Sequence, residues 1–583
     1  MTRSPASDAA ASLLAELVAH GVRDLVLSPG SRSQALALAA TSLARTGALR
    51  VHVRIDERVA GFTALGLARE SRVPVAVLCT SGTAAGNLLP ATMEAFHSGI
   101  PLLLLTADRP PELRGVGANQ ATIQPGIFGS FVRLQVDAEV PGASEISDET
   151  GAARRVASGH ADSGRNDPAV PTAGTAWTGL GERAVRAALG IDGAGLPGVA
   201  GPVHLNLPSR EPLSAAGDVT AVPGDAPVGS PAVPVVLSRG LRTVVIAGAD
   251  AGPDAEELSH AGGWPLIAEV VSGARFGRLL VHGYRELLRD HALGGRVERA
   301  VVFGHPTLSR EVAALLARRD VDVVAVRGGG EALDLNGRTQ AAPAVAVEPG
   351  TADRTWLGEW MTASQARAID LSAPAPDPKG LHSEDKAERL GAVRAELDAV
   401  RRRVDREILV DAVWRATWPH DRLMFGSSRL VRVADQVLGG KKVPVHASRG
   451  LAGIDGTVAT GIGIALASQA DGAPGVTRVL LGDLALLHDV GALLLPADES
   501  RPRIQVIVGN DGGGTIFDGL EVASSAERED LDRAFYTPQG VQLSELATAY
   551  GWEFLRVSTR SALDQALTSA IAGPQLIEVP LDR

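Results

Sequence analysis

The sequence predicts an α/β protein built from three doubly wound, parallel-sheet domains. Short apolar runs of strand length alternate with longer segments of helical periodicity, a pattern typical of parallel sheets covered by helices. Polar turns follow the strands in the first and last parts of the chain. Two proline-rich connectors, at about 214–237 and 371–390, separate the units. We therefore expect domains over residues 1–213, 238–365 and 391–583.

The first unit starts with a periodic helix over residues 8–20, after which strands and apolar helices alternate. Its strands are predicted at 24–28, 51–55, 74–80, 101–105 and about 201–210. Residues 141–178 interrupt this order with small and polar residues in no periodic pattern. We expect a long, mobile surface insertion there.

The middle and last units continue the alternation. Strands of the middle unit are predicted at 243–248, 265–269, 299–303 and 322–326. The last unit opens with a helix at about 392–418. Its strands are predicted at 422–426, 443–446, 479–481, 504–508, 553–557 and 575–579. A helix over 484–495 is expected to connect the third and fourth of these strands.

The bulk composition excludes several classes of protein. A chain of 583 residues is too long for one hydrophobic core. The net charge of −11 predicts no general attraction to nucleic acid or to anionic membranes. The single cysteine, Cys79, rules out an internal disulfide and a multi-cysteine metal site. No apolar run reaches the length of a membrane span and the N-terminus lacks a signal-peptide core, so we expect a cytoplasmic enzyme.

The stretch 479–517 predicts a magnesium site. Asp483 follows one buried strand directly and Asn510 ends the next, and a crossover helix places both strand ends at the same sheet edge. A carboxylate, an amide oxygen and a backbone carbonyl from the Gly512 turn supply half of an oxygen octahedron, which phosphate oxygens and water complete, as Mg²⁺ prefers. Taken alone, these residues are better explained as ordinary strand-end turn residues.

Glu57 gives the predicted metal site a context. It stands just after a strand, in the first turn of an apolar helix, where a carboxylate ordinarily complements the helix N-terminus. With DERVAG at 56–61, TSGTA at 80–84, and Gly482-Asp483 followed by Asn510, the chain resembles the two cofactor-binding halves of thiamine diphosphate enzymes. The resemblance implies domains of the thiamine diphosphate-binding type and a divalent cation, Mg²⁺ or Mn²⁺.

The same resemblance implies a role for each matching residue. Glu57 would be the catalytic residue, hydrogen-bonding the aminopyrimidine ring and promoting the imino tautomer that deprotonates the thiazolium carbon. Ile454 would press the cofactor into a bent shape, while Ile516 and Phe517 would wall the thiazolium ring, although core packing also explains these three. The expected cofactor contacts are Glu57, Thr80, Ser81, Gly82, Ser428, Ile454, Gly482, Asp483, Leu484, Asn510, Ile516 and Phe517, and the expected metal contacts are Asp483, Asn510 and Gly512.

Six stretches narrow the resemblance to the 2-succinyl-5-enolpyruvyl-6-hydroxy-3-cyclohexene-1-carboxylate (SEPHCHC) synthase family of menaquinone biosynthesis. They are SPGSRSQ at 28–34, TADRPPELRGVGANQ at 106–120, SSRLVR at 427–432, ASRGLAGIDG at 447–456, GDL at 482–484 and NDGGGTIF at 510–517. The likeness implies decarboxylation of 2-oxoglutarate and addition of the resulting four-carbon carbanion to isochorismate. It also implies a homodimer or homotetramer with active sites at subunit interfaces.

Four arginines at or just beyond strand ends agree with substrates that carry two carboxylates each, because guanidinium groups bind carboxylates bidentately. They are Arg32, Arg109, Arg432 and Arg449. By resemblance, isochorismate would be bound by Ser31, Arg32, Arg109, Asn119 and Gln120, and the 2-oxoglutarate-derived group by Ser428, Arg432 and Arg449. Arg310, in a turn of the middle unit at 304–311, is expected to reach the same site.

Two alternative functions stay open from the sequence. One is another carboligase or decarboxylase of the superfamily, such as an acetohydroxyacid synthase-like enzyme, which acts on smaller and less charged acceptors. The other is a catalytically silent α/β ligand-binding protein. Release of CO₂ from 2-oxoglutarate but not from pyruvate would argue against the acetohydroxyacid synthase-like enzyme. Binding of thiamine diphosphate with Mg²⁺ would argue against the silent ligand-binding protein.

Overall fold

The N-terminal part of the chain forms a six-stranded sheet in which all neighbouring strands are parallel, in the order β2-β1-β3-β4-β6-β5. The strands are β1 (Asp24–Leu27), β2 (Arg50–Val53), β3 (Val75–Cys79), β4 (Leu102–Asp108), β5 (Leu134–Asp137) and β6 (Val203–Pro208). The helices are α1 (Pro5–Ala19), α2 (Gln34–Arg45), α3 (Glu57–Ser71), α4 (Thr83–Asn87), α5 (Leu89–Ser98) and α6 (Leu180–Ala188). The computed structural model describes residues 4–142, 176–191, 198–215, 217–326 and 329–583, so most of the predicted insertion at 141–178 lies outside the described residues.

The middle part forms a five-stranded parallel sheet in the order β12-β11-β10-β8-β9, with β13 and β7 paired beside it. The strands are β7 (Val235–Leu237), β8 (Thr243–Ala247), β9 (Leu266–Ala268), β10 (Arg299–Phe303), β11 (Asp322–Val326), β12 (Gln340–Ala342) and β13 (Val345–Val347). The helices are α7 (Asp254–Gly262), α8 (Tyr284–Arg289), α9 (Arg310–Leu316) and α10 (Arg354–Gln365). The short strands β7, β12 and β13 were not predicted from the sequence.

The C-terminal part forms a second six-stranded parallel sheet, in the order β15-β14-β16-β17-β19-β18. The strands are β14 (Arg422–Phe425), β15 (Val445–Ala447), β16 (Thr477–Gly482), β17 (Ile504–Asn510), β18 (Glu553–Arg556) and β19 (Gln575–Pro580). Counted along the chain, its strand order is that of the N-terminal sheet. The predicted α/β fold class with parallel sheets is confirmed.

Helices accompany the strands of the C-terminal part of the chain. They are α11 (Pro378–Leu381), α12 (Lys386–Arg401), α13 (Arg406–Ala416), α14 (Arg429–Val437), α15 (Thr457–Ser468), α16 (Asp483–His488), α17 (Val522–Ser525), α18 (Arg528–Leu531), α19 (Leu543–Ala549) and α20 (Arg560–Thr568). The predicted helix 392–418 is two helices, because Arg402 leaves the helical conformation and the Asp405 side chain caps α13 at Ile408 N. Within the ranges described, no helix combines the length and apolar character needed to cross a membrane.

Helices α3 and α15 join the N-terminal and C-terminal sheets at unusually short range. A Cβ added to Gly66 would lie 2.0 Å from the carbonyl oxygen of Thr460, and one added to Gly463 would lie 2.1 Å from that of Thr63. Only glycine permits this approach of two helix backbones. The contact buries apolar residues of both helices in one common core, so α3, which starts at Glu57, is fixed against the C-terminal part of the chain.

Candidate active site

The ends of β16 and β17 bring the predicted metal-site residues together. Gly482 pairs in register with Gly509, so Asp483 and Asn510 lie at neighbouring positions on the same sheet edge. Asp483 is the first residue of α16 and is buried. Burial, together with the nearby Asp511 carboxylate, raises the pKa of Asp483 to about 6. A cation at this point would relieve that unfavourable burial of negative charge.

Asn510 is held in a fixed orientation by its neighbours. Its Nδ2 donates to Glu578 Oε1 on β19 at 2.8 Å, so the Oδ1 atom turns the other way, where Gly512 N donates to it at 3.2 Å. The carbonyl oxygen of Gly512, the third expected metal ligand, accepts a hydrogen bond from Arg583 Nη2 at 2.9 Å. Each of the three expected ligands thus accepts a hydrogen bond, and its oxygen atoms keep further lone pairs with which to bind a cation.

The glycine turn after Asn510 depends on glycine for its shape. Gly512 and Gly513 have φ of 71° and 134°, and a Cβ on Gly513 would lie 2.2 Å from the carbonyl oxygen of Tyr536. The turn leads to Ile516 and Phe517, which are both half-buried, and Phe517 packs edge-to-face on Phe535 with 5.3 Å between ring centroids. Phe517 thus has an explanation as a packing residue within the fold.

These residues fit a diphosphate-bound divalent cation. One carboxylate and neutral oxygens are the donors that Mg²⁺ takes when substrate phosphates supply its other ligands. In the part of the chain that the structure describes, no group of three or more histidine, cysteine, aspartate or glutamate residues forms an all-protein metal site. The main chain at Leu484 and Gly513 supplies N–H donors to Asp483, which leaves Asp483 oriented for coordination.

Glu57 occupies the first turn of α3, whose start is fixed by its neighbour Asp56. The Asp56 side chain caps the helix by accepting from Arg58 N and Val59 N. Glu57 itself is half-buried, and no hydrogen bond joins its carboxylate to any described residue. It lies near Cys79 at the end of β3, where its charge adds to burial in raising the pKa of that thiol. The carboxylate is thus rigidly placed and free to bind a ligand.

The turn after β3 and the segment after β4 form one hydrogen-bonded unit. Arg109 Nη1 donates to Ser81 Oγ at 3.1 Å and its Nη2 to Asn119 O at 2.7 Å. Ser81 Oγ donates to Gln120 O at 2.9 Å, and Gln120 Nε2 donates back to Ser81 O at 2.9 Å. Thr80 Oγ1 is buried without a hydrogen-bond partner. The sequence-predicted residues Thr80, Ser81, Gly82, Arg109, Asn119 and Gln120 are therefore brought together.

Arg32 joins this group from the turn after β1. Burial and the nearby Arg109 guanidinium lower the pKa of Arg32, and its Nε atom is buried without a partner. Ser31, beside it, is exposed. The two guanidiniums lie close enough to disfavour each other's charge, against the opposing charges of Glu211 and Asp108, and this arrangement suits an anion.

A buried polar network that was not predicted from the sequence holds the turn at Gly82 and the backbone of Arg109. Gln124 Oε1 accepts from Gly82 N at 3.2 Å, and its Nε2 donates to Asn206 Oδ1 at 2.8 Å and to Ala107 O at 3.0 Å. Asn206 Nδ2 donates to Asp108 Oδ2 at 2.9 Å, and Asp108 Oδ1 accepts from Arg109 N. Gln124 and Asn206 show no local signal in sequence, because their partners lie on other strands.

The C-terminal sheet contributes a second pair of arginines. Arg449 is almost fully buried, and its Nη1 donates to Ser427 Oγ at 3.3 Å. Arg432 Nη1 donates to Ser428 O at 3.1 Å, while Ser428 Oγ caps α14 by accepting from Leu430 N. Burial and neighbouring arginines lower the pKa of both guanidiniums, that of Arg432 through Arg285 and that of Arg449 through Arg432, against the opposing charge of Glu269. The two neighbouring guanidiniums suit a second anion.

The middle sheet reaches this second pair through residues other than the one predicted. Arg310 is exposed and lines a groove with Arg289 and Arg318 on the surface of the middle part. From the same turn, Thr307 instead accepts from Arg449 Nε at its Oγ1 atom, at 2.9 Å. Arg285 provides a further guanidinium near Arg432. Its position in α8, outside any strand-end turn, gave no signal in the sequence.

Within one chain, the two cofactor halves meet where the first turn of α3 contacts the last residue of α16. Arg58, next to Glu57, donates through Nη2 to His488 O at 3.0 Å, at the end of α16 opposite to Asp483. Ile454, half-exposed at 38%, and Ile55, 70% exposed, leave apolar surface beside each half. Each half therefore has solvent-exposed apolar surface beside it.

Comparison with known proteins identifies the family. The thiamine pyrophosphate enzyme N-terminal TPP binding domain matches residues 7–127, and the C-terminal TPP binding domain matches 435–579. The structure resembles benzoylformate decarboxylase from Polynucleobacter necessarius with a TM-score of 0.62, at 14% identity over 100% of this chain and 99% of that one, which shows a common fold.

Two curated relatives are close over the whole length. The 2-succinyl-5-enolpyruvyl-6-hydroxy-3-cyclohexene-1-carboxylate synthase of Leifsonia xyli subsp. xyli is 51% identical over 100% of this chain and 97% of its own. The synthase of Clavibacter michiganensis subsp. michiganensis is 49% identical with the same coverage. The chain therefore belongs to the SEPHCHC synthase family of thiamine pyrophosphate enzymes.

Proposed function

We propose that the protein decarboxylates 2-oxoglutarate with thiamine diphosphate and Mg²⁺ or Mn²⁺, and adds the remaining four-carbon unit to isochorismate. The products are SEPHCHC and CO₂, on the route to menaquinone. The observation that carries the proposal is the pair of anion sites, Arg32 with Arg109 and Arg432 with Arg449, at the edges of the two sheets that also hold the cofactor motifs. Each substrate has two carboxylates, and each site offers two forked cations.

Residues of both sheets would hold the cofactor. Asp483 and Asn510 would bind the cation that carries the diphosphate, and Ile454 would support the bend between the two rings. Glu57 would accept a hydrogen bond from the aminopyrimidine ring, and its free carboxylate and fixed backbone suit that role. When bound, thiamine diphosphate supplies the electron sink that the decarboxylation of a 2-oxo acid requires.

The arginines would place the substrates. Arg449 and Arg432 would hold the carboxylate of 2-oxoglutarate that remains after decarboxylation, so that its keto carbon faces the cofactor. Arg109 and Arg32, with Ser31, Asn119 and Gln120 as neutral donors, would hold isochorismate on the opposite side. Fixed cations in a partly buried site bind carboxylates without reorganising and exclude water from the reacting carbon.

We further propose that the active sites lie between subunits of a homodimer or homotetramer. The exposed apolar side chains beside the first half-site support this arrangement. These are Ile55, Val116 and Ile123, which are 70%, 67% and 88% exposed. A second copy of the chain that covers them would bring its Asp483 and Asn510 to Glu57.

The direct test is consumption of isochorismate by the purified protein with 2-oxoglutarate, with and without thiamine diphosphate and Mg²⁺. We expect consumption, with release of CO₂, only when both the cofactor and 2-oxoglutarate are present. Replacement of 2-oxoglutarate by pyruvate is the matched control and should give no product. Turnover of pyruvate in preference to 2-oxoglutarate, or turnover without the cofactor, would overturn the proposal.

A further inference from the structure

The turn at residues 447–456, which carries Arg449 and Ile454, is held by groups from all three parts of the chain. It follows β15, and its backbone is tightly enclosed. A Cβ added to Gly450 would lie 2.9 Å from His97 Cβ and 3.0 Å from Glu94 Oε2, both on α5 of the N-terminal part. The shape of this turn is therefore set by contacts from outside the C-terminal sheet.

Glu94 binds the backbone of the turn directly. Its side chain is buried, and its Oε1 accepts from Gly450 N at 2.9 Å while its Oε2 accepts from Leu451 N at 2.8 Å. Ser98 Oγ also donates to Oε1, at 2.8 Å. Two consecutive amides immediately after Arg449 are thus fixed by a single carboxylate. Such charge-assisted hydrogen bonds are about twice as strong as neutral ones.

Arg69 holds the start of the same turn and links it to the middle part. This side chain is fully buried on α3, and its Nη1 donates to Ala447 O at 3.0 Å and to both oxygens of Asp250 at 2.8 Å. Its Nη2 lies 3.5 Å from Glu94 Oε1. Glu94, Arg69 and Asp250 therefore form one buried ionic group, in which each charge depends on the others for compensation.

The guanidinium of Arg449 is fixed separately, by the middle part. Its Nε donates to Thr307 Oγ1 at 2.9 Å and its Nη2 to Thr307 O at 3.3 Å. Thr307 N in turn donates to the buried Glu269 carboxylate at 2.9 Å. The direction of the Arg449 side chain depends both on Thr307, which holds the guanidinium, and on Glu94, which holds the backbone after Arg449. A guanidinium that is fixed at its tip still shifts if its backbone moves.

We propose that Glu94, supported by Arg69, is a positioning residue that sets the place of Arg449 for the carboxylate of 2-oxoglutarate. This inference rests on the proposed function. Glu94 touches neither substrate nor cofactor, and it acts through the two backbone amides that follow Arg449. The specificity for 2-oxoglutarate in the C-terminal half is therefore determined in part by a helix of the N-terminal half.

The test is Glu94→Gln in the full-length protein. Glutamine keeps the size of the side chain but has one acceptor oxygen, so its amide nitrogen faces a backbone N–H donor and one of the two contacts is lost. We expect the KM for 2-oxoglutarate to rise about tenfold, the factor expected for one lost hydrogen bond to a charged group. The KM for isochorismate should stay within about twofold, since Arg32 and Arg109 are unaffected.

Asp421→Asn is the matched control. Asp421 is equally buried and accepts from Trp418 N at 2.9 Å, Val476 N at 2.8 Å and Arg478 Nη1 at 2.8 Å. It lies where β14 and β16 begin, at the edge of the sheet away from the site. This variant should lose thermal stability as Glu94→Gln does, with the KM for 2-oxoglutarate unchanged.

A second variant, Glu94→Asp, keeps the charge beside Arg69 but withdraws the carboxylate from the two amides. It should raise the KM for 2-oxoglutarate in the same selective way, and it decides the matter if Glu94→Gln does not fold. An unchanged KM for 2-oxoglutarate, an equal rise for both substrates, or the same rise in Asp421→Asn would overturn the positioning role. Failure of the wild-type protein to turn over 2-oxoglutarate would instead overturn the proposed function.

Discussion

The N-terminal and C-terminal sheets have the same strand order but carry opposite chemistry at their strand ends. After its third strand the N-terminal sheet presents the hydroxyls of Thr80 and Ser81, whereas the C-terminal sheet presents the carboxylate of Asp483. After the fourth strand the first has Arg109, and the second has Asn510. The same strand order thus presents a positively charged side chain at one sheet edge and oxygen ligands for a cation at the other.

The difference shows that the topology alone does not determine what each half binds. A few residues in the turns decide it, as is general for parallel α/β sheets, in which ligands bind beyond the carboxyl ends of the strands. The two halves have one feature in common, an arginine pair near the site. That pair suits the substrates. The two halves differ in the expected role of their carboxylate, because Glu57 is expected to bind the aminopyrimidine ring and Asp483 the cation.

Removal of the N-terminal carboxylate should have the largest effect. In Glu57→Gln, we expect turnover to fall by at least about 10²-fold, since general acid–base groups contribute roughly that much. Exchange of the thiazolium proton of bound thiamine diphosphate, followed by NMR in deuterated water, measures the step directly. Glu70→Gln, on the same helix but paired with Arg422 at 2.7 Å, is the control and should exchange at the wild-type rate. Unchanged exchange in Glu57→Gln would remove Glu57 from the mechanism.

Removal of the C-terminal carboxylate should weaken cofactor binding more than it affects chemistry. Asp483→Asn deletes a charge from the expected cation site, so the affinity for thiamine diphosphate with Mg²⁺ should fall at least roughly tenfold, the smallest loss seen when groups around a metal are altered. Titration calorimetry measures it. Asp518→Asn, exposed and paired with Arg429, should bind as the wild type does. Equal affinity in Asp483→Asn would contradict the assignment of the C-terminal edge.

Disruption of the contact between α3 and α15 should reduce the stability of the fold without changing any residue of the expected active site. Gly66→Ala forces a Cβ against the Thr460 carbonyl, which costs about 1–3 kcal/mol in a packed interior, so the Tm should fall by several degrees. Gly358→Ala in α10, where no atom lies within 4 Å of the new Cβ, should leave the Tm unchanged or slightly higher. A Tm of Gly66→Ala equal to that of Gly358→Ala would show that the α3–α15 contact is not needed.

A pH-dependent effect on stability is expected from the middle part, which belongs to neither half. Burial and the nearby Asp435 raise the pKa of Glu269 to about 8, from the ordinary value of 4.5. A raised pKa means that the folded state favours the protonated form, so this stabilisation is complete below about 4.5 and is lost as the pH rises through the raised pKa. The Tm of the wild type should therefore drop relative to Glu269→Gln between pH 5 and 8.5. Parallel Tm curves for the two proteins would contradict a raised pKa.

Strands and strand-end motifs were predictable because their signals are local. The strands β3, β4, β16 and β17 are buried along nearly their whole length and mainly apolar, and each leads directly into a polar turn. The edge strand β5 was missed, since its residues Leu134–Asp137 alternate between half-buried and exposed in a short polar segment. The predicted helix 484–495 ends at His488, because Asp489 turns inward to accept from Ala459 N at the start of α15.

Supporting residues of the site were not predictable, because their partners are distant in sequence. Glu94 contacts amides 356 and 357 positions away, and nothing in the sequence around it marks the contact. Glu269 and Gln124 likewise bind backbone groups of other elements. Arg310 had the right residue type in the right turn, yet α9 begins there and carries it to the surface, while Thr307 makes the contact. Residue type identifies the groups at strand ends, and only the packing shows what holds them.

The most direct test mixes two variants. It asks whether the N-terminal half of one subunit and the C-terminal half of another form one active site. With thiamine diphosphate held well below the Kd of Asp483→Asn, Glu57→Gln and Asp483→Asn are each expected to show little activity alone, whereas a mixed dimer has one active site with both residues intact. After subunit exchange of equal amounts, activity should return to about a quarter of the wild-type level, because half of the dimers are mixed and each has one complete site. No recovery, although mixed dimers have formed, would contradict an active site shared between subunits.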